Sequence, residues 1–164
     1  MTNEMLPAKI HGLAVDPESK SPVVILSTED STRVLPIWIG HFEAWAIAME
    51  LQQLKSKRPL THDLMSIIIT ELEARVLRIE VTELREQTFY ARICLETKDG
   101  IHNIDARPSD SIALALKTKA PIFVNASLFN IKKEEGMPER LNDPQSLKER
   151  LRNISPEDFG KYSL

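Results

Sequence analysis

Asp105-Ala106-Arg107-Pro108-Ser109-Asp110 places two carboxylates, a guanidinium and a hydroxyl directly before the apolar run Ile112-Ala113-Leu114-Ala115-Leu116. Carboxylates move protons or hold cations, and arginine meets carboxylate or phosphate with a two-pronged donor set. Proline suits a first helical turn, serine and aspartate suit a cap, and an acid there favours the positive end of the helix dipole. One cap, however, needs only one such side chain. A second segment, Arg58-Pro59-Leu60-Thr61-His62-Asp63, repeats these ingredients before the apolar stretch Leu64 to Leu72 and carries the only His-Asp pair in the chain. Two polar helix starts in one small domain predict a shared cleft gathering Arg58, His62, Asp63, Asp105, Arg107 and Asp110.

Each of these residues also has a plain structural role open to it. Asp110 and Ser109 suit helix caps. Asp105 ends an apolar strand that needs no acid, so it either bridges to Arg107 or holds a metal. Arg58 and Arg107 precede prolines, which favours extended backbone and sets long cationic arms at helix entrances. They serve phosphate binding or an Arg-to-Asp bridge between the two motifs. Histidine as a residue type suits a base or ligand near neutral pH, and His62 can take that role or be simply a surface or capping group in a first turn. Glu43 is expected on the polar side of a helix.

The elements that position these groups alternate. Ala8 to Val15 reads as a strand with Gly12 at a bulge or close approach, Val23 to Leu26 as a buried strand, and Val34 to Ile39 as a third. Pro36 cannot donate a ladder hydrogen bond, so it is expected at an edge or a bulge. A helix is expected from about Phe42 to Lys55, with Ala44, Ile47, Ala48, Leu51 and Leu54 inward and Glu43, Glu50 and Gln53 away. Thr61 is the expected N-cap of a second helix, with Leu64, Met65, Ile68 and Leu72 inward. Leu77, Ile79 and Val81 alternate with Arg78, Glu80 and Thr82, and Phe89, Ala91, Ile93 and Leu95 repeat the pattern after a turn near Arg85-Glu86. Asp99-Gly100 signals a hairpin into Ile101 to Ala106. A third helix to about Lys119 and a strand from Pro121 to Val124 follow. This order predicts an α+β fold: an antiparallel-rich mixed sheet with helices packed on it, as one compact domain over residues 1–131. Residues 132–164 read as a tail with short helices, one capped by Asp143.

Composition narrows the function classes. The 164 residues suit one domain; 42% are hydrophobic and 27% charged, ordinary for a globular protein. The single cysteine, Cys94, forbids an internal disulfide and is expected to be a structural thiol in a reducing cytoplasm. No signal peptide and no membrane-spanning run is expected. The net charge of −3 lies wholly in residues 1–131, which hold 14 Lys/Arg against 17 Asp/Glu, while the tail holds seven of each. That balance argues against a general nucleic-acid coat yet suits a site whose carboxylates hold cations. The sequence holds no Gly-rich phosphate loop, no zinc-type cysteine pairs and no HExxH motif, and few aromatics for a base-stacking platform.

Six ordered blocks carry a family resemblance over roughly residues 8–131. They are Leu35-Pro36-Ile37-Trp38-Ile39-Gly40, Glu43-Ala44, Arg58 through Leu64, Phe89-Tyr90-Ala91, Asp105 through Ala115, and Pro121-Ile122-Phe123-Val124. In these the chain resembles the bifunctional nuclease domain family; Ser111 stands where that pattern has alanine. The resemblance implies cleavage of DNA and RNA, and it raises one of three function classes above the others. That class is a divalent-metal-assisted phosphodiester hydrolase. Glu43, Asp63, Asp105 and Asp110 would hold Mg²⁺ or Mn²⁺, His62 would assist proton transfer, and Arg58, Arg107, Ser109 and Thr61 would bind the substrate. The alternatives are a non-catalytic module capturing a small anion at the paired helix starts, and a structural adaptor whose charges knit helices to the sheet. Homo-oligomers are expected, through a sheet edge or helix face near Val34 to Ile39, with Trp38 and Trp45 exposed.

Overall fold

The computed structural model describes residues 4–17 and 19–131; the expected tail helices lie outside them. The elements in chain order are β1 (Met5–Val15), β2 (Pro22–Thr28), β3 (Val34–Trp38), α1 (His41–Leu51), α2 (Thr61–Glu71), β4 (Arg75–Arg85), β5 (Thr88–Thr97), β6 (Gly100–Ala106), α3 (Pro108–Thr118) and β7 (Ile122–Asn125), followed by a short 3₁₀ turn, Ala126–Asn130. The fold is α+β as expected.

Two antiparallel meanders, β1-β2-β3 and β4-β5-β6, are joined by β7 in a seven-stranded sheet of order β3-β2-β1-β7-β4-β5-β6. The short strand β7 runs antiparallel to β1 and parallel to β4. A parallel pairing needs a crossover, and α3 lies in the connection that returns the chain from the β6 edge to the centre. Its residues Ile112, Ala113, Leu114 and Ala115 are buried against Ile79, Val81, Ala91, Ile93 and Val124 on one sheet face. The core continues under α1 through Ala44 and Ile47 to Val24, Leu26, Leu35 and Ile37.

Local backbone chemistry accounts for the strand ends. The β1–β2 register shifts between Ile10 and Gly12, the bulge expected at the glycine. Pro36 lies on the edge strand β3. Gly100 has φ 127°, a region open to glycine, and closes the β5–β6 hairpin. The β4–β5 turn holds Glu86 at φ 48° and Gln87 at φ 59°, the double left-handed pattern that matches strand twist.

Four expectations are corrected. Helix α1 ends at Leu51 rather than near Lys55: Gln53 turns left-handed at φ 56°, which leaves Leu54 exposed. In α2 only Met65 of the four expected residues turns inward, alongside His62 and Ile69, while Leu64, Ile68 and Leu72 are exposed. The inward face begins with His62, which meets Asp110, and continues through Met65 and Ile69. Glu80, expected on a solvated strand face, is buried between the guanidinium groups of Arg78 and Arg92. Trp38 and Trp45 are half-buried, and Trp38 Nε1 donates to Asp16 at 3.0 Å. Among the described residues no helix is long and apolar enough to cross a membrane.

Candidate functional site

Three helices bring their charged groups together. α1 and α3 lie side by side in the same direction, linked at their starts by Glu43 to Arg107 at 2.9 Å and at their ends by Glu50 to Lys117 at 2.5 Å. The start of α2 closes on this pair. His62 Nε2 lies 3.0 Å from Asp110 Oδ1, and Asp63 Oδ1 lies 2.5 Å from Lys117 Nζ. Arg107 grips Asp110 with two donors, Nε to Oδ2 at 2.8 Å and Nη2 to Oδ1 at 3.1 Å. A forked donor fits the two oxygens of one carboxylate, so Asp110 is fixed in orientation before it meets the imidazole.

Both acids occupy the third position of their helices. Leu60 is the N-cap of α2 and Arg107 that of α3; neither is capped by its own side chain. Thr61 is therefore the first helical residue, not the cap, and the Asp63 carboxylate accepts the Leu60 N–H at 2.9 Å. Asp110 and Ser109 do not cap α3. Pro108 occupies its first turn, where a missing N–H costs nothing, and the Ser111 hydroxyl donates back to the Arg107 carbonyl at 3.0 Å. The two Arg-Pro pairs fall in different frames: Pro108 lies inside its helix, Pro59 outside.

Electrostatics follow the contacts. Burial pushes the Asp110 carboxyl up, but the bonds from Arg107 and His62 outweigh it and leave it below the usual carboxylate range. Asp63 behaves likewise: burial opposes, and Lys117 with the Leu60 N–H prevails. Burial lowers Lys117, yet Asp63 and Glu50 together raise it above an ordinary lysine. The Asp110 bond, with Glu43 behind it, lifts Arg107 further.

The cluster opens onto a groove of about 850 Å³ lined by His62, Asp63, Lys117, the α1–α2 connection and Ile67. Lys55, Lys57, Arg58 and Lys119 line the same groove and make no ion pair with any described residue. An acidic chain thus gathers on one groove four cations that meet no carboxylate among the described residues.

Most of the predicted site converges: Glu43, His62, Asp63, Arg107 and Asp110 form one network, with Arg58 and exposed Thr61 beside it. Ser109 is buried in the first turn of α3. Asp105 stands apart. It pairs across strands with Arg92, on the sheet face opposite the one α3 covers, and lines another cleft with Arg85, Tyr90, Arg92 and Asn103. It therefore makes no bridge to Arg107. Glu43, expected to face solvent, turns inward to Arg107, with its side chain 18% exposed. Glu50 and Lys117 were missed as network members. Their only signal was spacing, since Glu43–Glu50 and Asp110–Lys117 are each seven apart and so share a helix face.

The carboxylates do not form one cation-binding set. Glu43 and Asp110 are engaged by Arg107, Asp63 by Lys117, and Asp105 lies across the sheet. Mg²⁺ and Mn²⁺ want several oxygens around one point. Among the described residues no three His, Cys, Asp or Glu groups meet in that way.

The comparisons with known proteins agree with the blocks noted in the sequence. An uncharacterized Mycobacterium tuberculosis protein is 34% identical over 160 residues, covering 92% of this chain and 96% of its own. Bifunctional nuclease 2 of rice (Oryza sativa subsp. japonica) is 29% identical over 118 residues, 68% of this chain but 36% of its own. Bifunctional nuclease 1 of Arabidopsis thaliana is 25% identical over 111 residues, 65% of this chain and 34% of its own. Residues 24–136 match the model of the bifunctional nuclease domain, a span holding every residue of the helix network, so this chain belongs to the bifunctional nuclease domain family.

Proposed function

We propose that the chain hydrolyses phosphodiester bonds of DNA or RNA, with the groove beside His62 as the substrate site. The observation that carries this reading is the pairing of a clamped His62–Asp110 dyad with four cations on one groove that meet no carboxylate among the described residues. His62 Nε2–H donates to Asp110, which leaves Nδ1 as the basic nitrogen. That nitrogen takes a proton from water as the water oxygen attacks phosphorus; the P–O bond to the leaving oxygen breaks, that oxygen takes a proton from solvent water, and the imidazolium returns its own proton to solvent. Arg58 and Lys119 offset the charge gathering on the phosphoryl oxygens. Arg107 is a positioning residue, with three of its five N–H donors directed to Asp110 and Glu43. The carboxylate set does not fit a shared Mg²⁺ or Mn²⁺, so no step passes through one.

A second reading is favoured by a specific fact: Glu43, Glu50, His62, Asp63, Arg107, Asp110 and Lys117 are all satisfied within the network. Such closure is what a purely structural clasp would show, with the groove binding anions without turnover. Labelled DNA and RNA incubated with purified full-length protein distinguish the two. Cleavage that falls at least tenfold in His62→Ala, with binding kept, and weaker substrate binding in Arg58→Ala support hydrolysis. Binding without cleavage by the wild type leaves the anion-binding module. EDTA treatment followed by Mg²⁺ or Mn²⁺ titration measures any contribution from a cation brought by the substrate.

A further inference from the structure

We infer that the cleft on the sheet face opposite the helices binds a ribonucleotide, with Asp105 on the ribose hydroxyls and Arg92 on the phosphate. This does not rest on the hydrolase reading, and it concerns the other side of the sheet from the His62 groove. The cleft has a volume of about 870 Å³, and Arg85, Tyr90, Arg92, Asn103 and Asp105 lie on its wall.

Its charges are held apart. Arg92 and Asp105 are direct neighbours across β5 and β6 on one face, a placement in which opposite charges ordinarily pair. They make no ion pair. Arg92 Nε instead donates across to β4, to Glu80, which is 1% exposed and accepts from Arg78 on its other oxygen. A buried carboxylate is costly unless it is bonded, so Glu80 keeps the arginine that Asp105 goes without. On β4, β5 and β6 the acids Glu80, Glu83 and Glu96 are each paired with arginine. Asp105 alone has no hydrogen bond or ion pair among the described residues, and neither the terminal nitrogens of Arg92 nor the Asn103 amide has a hydrogen bond among them.

These groups set the ligand. A carboxylate accepts hydrogen bonds from sugar hydroxyls, the contact by which acids hold a ribose. A guanidinium with both terminal NH₂ groups unengaged meets two phosphate oxygens at once. Arg92 is drawn toward β4 while Asp105 stands on β6, so the two receive opposite sides of one sugar, as a 5′-phosphate and a 2′,3′-diol lie. Tyr90 shares the strand face of Arg92, about 7 Å along β5. The Arg85 guanidinium lies over the Tyr90 ring, 4.5 Å from its centre. Arg85 is bonded to Glu83 at 2.6 Å and its side chain is 59% exposed, which leaves a guanidinium plane on which a base stacks. Stacking accepts every base, so the class is a ribonucleoside 5′-monophosphate rather than one member of it.

Isothermal titration calorimetry of the full chain with adenosine 5′-monophosphate, which has no phosphodiester bond to cleave, is the test. The wild type is expected to bind it about tenfold more tightly than adenosine or 2′-deoxyadenosine 5′-monophosphate, the effect of losing one hydrogen bond to a charged group. Asp105→Ala should erase the ribose preference at an unchanged melting temperature, because the side chain has no partner to lose. Arg92→Lys, which keeps a charge for Glu80 without the forked donor, should remove most of the gain from the phosphate. Arg58→Ala, in the other groove, should leave the affinity unchanged. A wild type that does not bind, a ribose preference that survives Asp105→Ala, or a phosphate gain untouched by Arg92→Lys overturns the inference. Binding lost in Arg58→Ala and kept in Asp105→Ala overturns it as well, by placing the nucleotide in the His62 groove.

Discussion

Arg107 and Lys117 each hold two carboxylates, and that ratio sets the pH window in which the helices stay clasped. Asp110 titrates below an ordinary carboxyl in the folded chain. Its contribution to stability is therefore present above the unfolded value of about 3.9 and is lost as pH falls through the lower folded value. Lys117 is shifted the other way. Its contribution is present below about pH 10.4 and is lost as pH rises through the raised folded value. Melting temperature should thus be flat between these limits and fall on both sides. Asp110→Asn keeps the shape but weakens bonds to two partners, at a cost of about 2 kcal/mol near neutrality. It should lower the melting temperature by roughly 5 °C and flatten the acid limb. An acid limb as steep as the wild type's would show that Asp110 does not drive it. Under the proposed hydrolysis the same variant, its dyad stripped of the acid, should lose cleavage well beyond what lost stability explains.

Among the elements, the β4–β5 hairpin carries a cost the rest of the fold absorbs. Glu86 and Gln87 both adopt positive φ without being glycine. A left-handed L-residue costs roughly 1–2 kcal/mol, and asparagine and glycine are the residues best suited to the two positions. Glu86→Asn with Gln87→Gly should therefore stabilise the protein by about 1 kcal/mol, read as a higher urea midpoint at unchanged slope. No gain would mean that long-range pairing holds the turn at no local cost. Helix α2 shows the converse, tertiary choice overriding local pattern. Its apolar residues form two stripes, and the one in line with His62, Met65 and Ile69 faces the core while Leu64, Ile68 and Leu72 stay exposed.

For the whole molecule, the decisive feature is that β7, four residues long, is the only hydrogen-bonded link in the described sheet between the two meanders. Its Ile122 and Val124 are buried in the core shared by both halves. Neither half should survive without the other, so unfolding should be one transition. Fluorescence of Trp38 and Trp45, both in the N-terminal half, and far-ultraviolet circular dichroism should give the same urea midpoint. Val124→Ala should move both midpoints down together, for a loss of about 1–3 kcal/mol. Midpoints that separate would show that the halves fold independently.

The sequence by itself determined the strands, the helices and the candidate helix starts, because alternation, helical spacing and Gly or Pro punctuation act over a few residues. Gly12, Pro36 and Asp99-Gly100 each predicted a feature found in place. The five network residues Glu43, His62, Asp63, Arg107 and Asp110 were all among the candidates for the same reason: polar groups at helix starts are locally conspicuous. Only the tertiary structure decided which of them meet. Asp105 and Arg107 are two residues apart and would share a face in a continued strand, but β6 ends at Ala106 and Arg107 is the N-cap of α3, so the turn into the helix layer separates them. Glu50 and Lys117 look like solvated charges until α1 and α3 lie side by side. Which stripe of α2 is buried depends on how the helix packs against α3 and the sheet, with contacts such as His62 to Asp110 spanning nearly fifty residues, and no local pattern carries that information.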